Sequence, residues 1–101
     1  MFFKKTPTIS TNDLENKIAE KPQIIDVREP HEFRSGHIPG AKNVPLGKVA
    51  QYTPSGKTYV VCQSGMRSKQ ATKVLLKQGY DVVNVRGGMM SWTGVKKGGK
   101  N

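Results

Sequence analysis

The sequence predicts an α/β domain with a mainly parallel central sheet flanked by helices. Short, nearly continuous apolar runs recur at Gln23-Ile24-Ile25-Asp26-Val27, Thr58-Tyr59-Val60-Val61 and Asp81-Val82-Val83-Asn84-Val85. Strands of a parallel sheet covered on both faces read this way, without a polar-apolar alternation. Helical patterns separate the runs, and that alternation implies crossover connections between parallel strands. The chain has 101 residues, 35% of them hydrophobic, which suits one domain with a modest core.

In chain order, residues 1–9 read as an N-terminal extension. Met1-Phe2-Phe3 is followed at once by Lys4-Lys5, which leaves no apolar run for a signal peptide. Ser10-Thr11-Asn12-Asp13, ahead of Leu14, Ile18 and Ala19, predicts a capped first helix with Asn12 and Glu15 at capping-box spacing. Pro22 stops that helix, and the strand at 23–27 follows. Asp26 is unexpected there, because a buried carboxylate is costly unless paired; Arg28 or the backbone of a neighbouring loop could pair with it. Pro30-His31-Glu32-Phe33 starts a short helical turn with Pro at an allowed early position. Gly36-His37-Ile38-Pro39-Gly40 is a loop by its breakers. Asn43-Val44-Pro45-Leu46 is an extended segment, and Val49, Ala50 and Tyr52 close a short helix before the turn at Thr53-Pro54-Ser55-Gly56.

The strand at 58–61 runs through Cys62-Gln63-Ser64-Gly65-Met66-Arg67-Ser68 into a helix. At about 100° per residue, Ala71, Val74, Leu75 and Gln78 share one face, with Lys69, Lys73 and Lys77 roughly opposite as the solvated side. Gly79 fits a left-handed cap. After the strand at 81–85, Arg86-Gly87-Gly88 begins a last helical turn that places Met89, Met90 and Trp92 in the core. The domain is assigned to residues 10–95, and residues 96–101 (Lys-Lys-Gly-Gly-Lys-Asn) to a basic, mobile tail with nothing to bury.

The formal charge is +10 and it is unevenly placed. Residues 1–32 carry five basic and six acidic side chains, whereas residues 33–101 carry twelve basic and one acidic, Asp81. Such a field favours anionic substrates and acidic partners, or simply keeps the surface solvated. RNA ranks lower, because the lysines are scattered and no aromatic stacking sheet accompanies them. One cysteine and two histidines, His31 and His37, give no zinc spacing, so no metal and no cofactor are expected. A lone thiol suits a reducing cytoplasm, and no apolar run reaches the length of a membrane span.

A lone cysteine ending an apolar strand is ordinarily a small buried hydrophobe. The residues after Cys62 argue otherwise. Gly65 suits a backbone position with positive φ, which a ring of inward-facing amides requires. The helix that follows adds partial positive charge, and Arg67 adds a permanent one. These features lower a thiol's pKa and predict a reactive thiolate. His37 could serve it as a general base, although a histidine in such a loop is more often bonded to its own backbone.

Cys62-x-x-Gly65-x-Arg67 resembles the active-site loop of the rhodanese family of sulfurtransferases. Asp26-Val27-Arg28-Glu29, Gly36-His37-Ile38-Pro39-Gly40-Ala41 and Arg86-Gly87-Gly88 with Trp92 are similar to that family's other signatures. They stand in the usual order, from about Ser10 to Trp92. The resemblance implies a rhodanese-like fold, Cys62 as the catalytic residue and Gln63, Ser64, Gly65, Met66 and Arg67 as the substrate-binding loop. It also implies structural supporting roles for Asp26, Arg28 and His37.

The loop itself supplies no acid or base: Gln63, Ser64 and Met66 are neutral and Arg67 stays protonated. That suits sulfur transfer, in which thiosulfate or a similar donor leaves a persulfide on Cys62. Cyanide, a low-molecular-weight thiol or a thioredoxin-like protein would then accept the sulfur. With no second cysteine, the acceptor must come from outside. Related phosphatase loops hold five residues between Cys and Arg and are preceded by His; here four intervene and Val61 precedes. An arsenate reductase-like enzyme remains open, as does a non-enzymatic sulfur carrier or regulatory module on the same fold.

Overall fold

The computed structural model describes residues 6–100. Five strands form one sheet: β1 (Thr8–Ser10), β2 (Gln23–Asp26), β3 (Lys42–Asn43), β4 (Thr58–Val61) and β5 (Val82–Arg86), in the order β1-β5-β4-β2-β3. Every strand pairing is parallel. The helices are α1 (Thr11–Glu15), α2 (Pro30–Ser35), α3 (Met66–Lys77) and α4 (Gly88–Ser91), with 3-10 segments at Ile18–Glu20 and Leu46–Gln51.

Both faces of the sheet are covered, which is why its strands lack alternation. On one face Ile24, Tyr59, Val61, Val83 and Val85 pack with Leu14, Phe33, Met89 and Trp92 from α1, α2, α4 and the residue after it. On the other, Ile25, Val27, Val60, Cys62 and Val82 pack with Ala71 and Leu75 of α3 and with Val49. Successive strand residues point to opposite faces, so Cys62 falls on the α3 side. Each fully buried aliphatic side chain contributes roughly 1.5–3 kcal/mol.

Several expectations are corrected. Thr8 and Ile9, read as extension, belong to β1, whose three-residue pairing with β5 (Thr8 with Asn84, Ile9 with Val85, Ser10 with Arg86) is a tertiary contact with no local signature; residues 1–5 lie outside the described residues. The first helix ends at Glu15, and its cap is Ser10, whose hydroxyl accepts the Asp13 N–H at 3.1 Å, not Asn12. The buried face of α3 is Ser68, Ala71, Thr72 and Leu75. Val74 and Gln78 are exposed, because the inward face instead takes Ser68, which reaches the cysteine, and Thr72, whose hydroxyl donates to the Ser68 carbonyl. Met90 is 69% exposed rather than core, since α4 is a single turn whose inner side is already filled by Met89. Residues 96–101 are not simply free. The Lys97 N–H and C=O bond the C=O and N–H of His37 at 2.8 and 2.9 Å, and the Gly99 N–H reaches the Arg34 carbonyl at 2.9 Å. Asn101 lies outside the described residues.

The end of α3 follows the sequence. Gly79 takes φ +92°, and the N–H groups of Gly79 and Tyr80 bond the carbonyls of Leu76 and Leu75, the two bonds of a Schellman cap.

Candidate active site

Cys62 stands where β4 gives way to the loop that enters α3, at the carboxyl end of the sheet, the usual ligand-binding edge of such folds. The residue is fully buried. Its Sγ accepts the Gly65 N–H at 3.0 Å and lies 3.4 Å from the Ser68 Oγ. Burial pushes the thiol pKa up, but the Ser68 hydroxyl and the backbone N–H groups of Ser68, Gly65 and Ser64 outweigh it, and the thiol sits below its ordinary value. The donors stabilise the thiolate more than the buried site penalises it.

The loop is shaped from below by the start of α4. The Met89 and Met90 N–H groups bond the carbonyls of Cys62 and Gln63 at 2.8 and 3.0 Å. With those carbonyls turned toward α4, the loop amides are free to face the sulfur. This approach is so close that a Cβ at Gly88 would overlap the Cys62 carbonyl oxygen and lie 2.6 Å from that of Gln63. Gly65, at φ +104°, makes the turn that aims its own N–H inward.

Arg67 has a partner that the sequence expectation did not include. Its two terminal nitrogens donate to the Glu32 carboxylate at 2.7 and 2.9 Å, a bidentate pair that ties α3 to α2. The Arg67 guanidinium hydrogen-bonding Glu32 lowers that carboxyl's pKa to about 2. The same bond raises the Arg67 pKa. Glu32 is thus a part of the site's frame that sequence reading missed; its position in a capping box with Glu29 gave no hint of a distant partner. Ser68 was missed too, although its place one residue after Arg67 on the first turn of α3 was a usable signal.

Asp26 and Arg28 form the buried pair anticipated as one option. The Asp26 carboxylate accepts the Arg28 Nε–H at 3.0 Å, a terminal N–H at 2.9 Å and the Arg28 backbone N–H at 3.0 Å. Arg28 also donates to the Gly36 carbonyl at 2.8 Å and weakly to the Gln63 Oε1 at 3.4 Å, so it links the loop at 36–41 to the cysteine loop. His37 is buried and stacked on Phe33 at 3.7 Å between ring centroids, with its Nδ1 2.8 Å from the Phe33 carbonyl. That bond assigns the proton to Nδ1. Gln63, Ser64 and Met66 are exposed at the mouth. Among the described residues no cluster of His, Cys, Asp and Glu could hold a metal, and no helix is long and apolar enough to cross a membrane.

The profile of the rhodanese-like domain matches residues 10–94. The chain belongs to the rhodanese-like family. The domain is 39% identical over 95 residues to YrkF of Bacillus subtilis, provisionally named a sulfur carrier, covering 87% of this chain and 51% of that protein. It therefore spans about half the length of that relative. It is 35% identical over 95 residues to the thiosulfate sulfurtransferase GlpE of Pseudomonas putida, covering 89% and 84% of the two chains. The crystal structure of a rhodanese-like domain protein from Staphylococcus aureus superposes with a TM-score of 0.84 at 34% identity, covering 93% of this chain and 99% of the other. These likenesses support a sulfurtransferase or sulfur-carrier role for this rhodanese-like domain.

Proposed function

We propose that this rhodanese-like domain is a sulfurtransferase that moves sulfane sulfur through a persulfide on Cys62. The observation that carries the reading is the Cys62 Sγ held by the Gly65 N–H and the Ser68 hydroxyl with its pKa lowered. In the first half-reaction the thiolate attacks the outer sulfur of thiosulfate. A Sγ–S bond forms, the donor's S–S bond breaks, and its electron pair leaves with sulfite. In the second, cyanide or an acceptor thiolate attacks the outer sulfur, and the Sγ–S bond breaks to restore the Cys62 thiolate. Charge balances in both halves, and no acid is needed because each leaving group is a stable anion. The backbone amides of Ser64, Gly65 and Ser68, which already act on the sulfur, would stabilise the negative persulfide as preorganised donors.

Thiosulfate as donor is favoured by the likeness to GlpE; a carrier role is the second reading, favoured by the likeness to YrkF. Asp26, Arg28 and His37 hold the two loops and do not take part in the chemistry. A reducing compartment such as the cytoplasm would keep the single thiol available. Intact mass after incubation with thiosulfate tests the proposal. Wild type should gain one sulfur atom, lose it to cyanide, and turn over, while Cys62→Ser gains none. Loading without catalytic turnover would select the carrier reading. No loading of a folded, alkylatable protein would overturn both readings and direct attention to arsenate.

A further inference from the structure

Beside the cysteine loop, a surface groove of about 420 Å³ is lined by Met66, Arg67, Lys69, Gln70 and Lys73 of α3. Its charge is not evenly compensated. Arg67 is answered by Glu32, whereas among the described residues neither Lys69 nor Lys73 forms an ion pair. The helix carries Arg67, Lys69, Lys73 and Lys77 and no acidic residue. Like charges one turn apart weaken a helix by a few tenths of a kcal/mol, so the row is held against a small penalty. Two exposed methionines frame the mouth: Met66 in the groove, 78% exposed, and Met90, 69% exposed, whose N–H bonds the Gln63 carbonyl. Methionine adapts to apolar partner surfaces.

From these features we infer that the groove docks an acidic protein acceptor, and that this docking delivers the acceptor's cysteine to the persulfide. The inference rests on the sulfur-transfer reading above. Cys62 is fully buried, and a persulfide extends it by only about 2 Å. The accepting cysteine therefore stands on a protruding loop or chain end. Lys69 and Lys73 are one turn apart, about 6 Å along the axis, which matches carboxylates four residues apart on a helix or two apart on a strand. The acceptor thiolate attacks the outer sulfur, the Sγ–S bond breaks, and the sulfur leaves on the acceptor as its persulfide with no change in total charge. A protein fits better than RNA because, among the described residues, no large aromatic side chain is exposed for bases to stack on.

Two synthetic peptides with one cysteine near the end test this, one with Asp and Glu beside it and one with Lys in those places. Each is also made with Ser for Cys and a fluorescent label, so that binding is read without chemistry. Persulfide loading is verified first by mass, and transfer to dithiothreitol, a neutral thiol, gives the reference rate. At low salt the acidic peptide should accept sulfur at least about tenfold faster than the basic one, and the gap should close toward 1 M salt, where the screening length is about 3 Å. Lys69→Glu with Lys73→Glu should invert the preference in both transfer and binding anisotropy. Equal rates and equal binding for the two peptides, or a preference unchanged in the double variant, would overturn the inference. Failed loading with the acidic binding preference intact would sink the transfer reading and leave the docking surface. An oligouridine RNA that binds more tightly than the acidic peptide, and is lost in the double variant, would reassign the row to nucleic acid.

Discussion

At the residue scale, the Cys62 thiol lies beside a hydroxyl that faces two ways. The Ser68 Oγ lies 3.4 Å from Sγ and 3.1 Å from the Gly65 carbonyl oxygen. It can accept from the thiol, or donate to the thiolate once the proton has left. Ser68→Ala removes that donor, so the thiol pKa rises and the pH profile of iodoacetamide alkylation moves to higher pH. Hydrogen bonds to charged groups are worth roughly 1.5–3 kcal/mol, so sulfur loading near neutral pH should slow by about tenfold or more. An unchanged alkylation profile would show that the backbone amides alone set the reactivity. Glu32 gives a second prediction. Its pKa falls from 4.5 to about 2 on folding, so the pairing stabilises the fold fully above about 4.5 and is lost as pH falls toward 2. Glu32→Gln should remove that part of the acid sensitivity, at a cost near neutral pH below about 1 kcal/mol for a partly exposed pair. Urea midpoints from pH 2 to 7 read the difference between the two proteins, which should shrink through the acid window.

At the element scale, the site is a contact between the cysteine loop, which enters α3, and the start of the single-turn helix α4. The start of α4 takes up the carbonyls of Cys62 and Gln63, and Gly88, at φ +60°, permits the approach. Gly88→Ala forces both a left-handed residue and an overlap with the cysteine loop. We expect a loss of about 2–4 kcal/mol in urea unfolding, with slower alkylation of whatever remains folded, because displaced carbonyls let the amides turn away from the sulfur. Stability and thiol reactivity equal to wild type would refute this coupling. Gly79 behaves more simply, since its effect is confined to one helix cap and was legible in the sequence. The face of α3 was not so legible. Helical periodicity pointed to Val74 and Gln78, but the first turn must bring Ser68 to the sulfur, and that requirement rotates the buried stripe onto Thr72.

At the scale of the whole molecule, the chain closes on itself at both ends of the described region. β1 forms one edge of the sheet through its pairing with β5. Near the other end, Lys97 pairs with His37, whose ring is stacked on Phe33 of α2. Removing residues 96–101 takes away three backbone hydrogen bonds, two with His37 and one with Arg34, and should cost roughly 1.5–4 kcal/mol. Amide exchange would show lost protection at His37 in the truncated protein; equal exchange rates would mean the segment is free in solution. By itself the sequence determined the α/β class, the mainly parallel sheet and the family, and it singled out Cys62 as the candidate site, because continuous apolar runs, glycine breakers and the Cys62–Arg67 loop are local patterns. Only the tertiary structure decided which groups reach the sulfur, that Arg67 turns to Glu32, how α3 is rotated, and that Thr8–Ser10 and Lys97 are tied in. Each of these joins residues far apart in the chain or competing for one partner, and local pattern carries no information about such a choice.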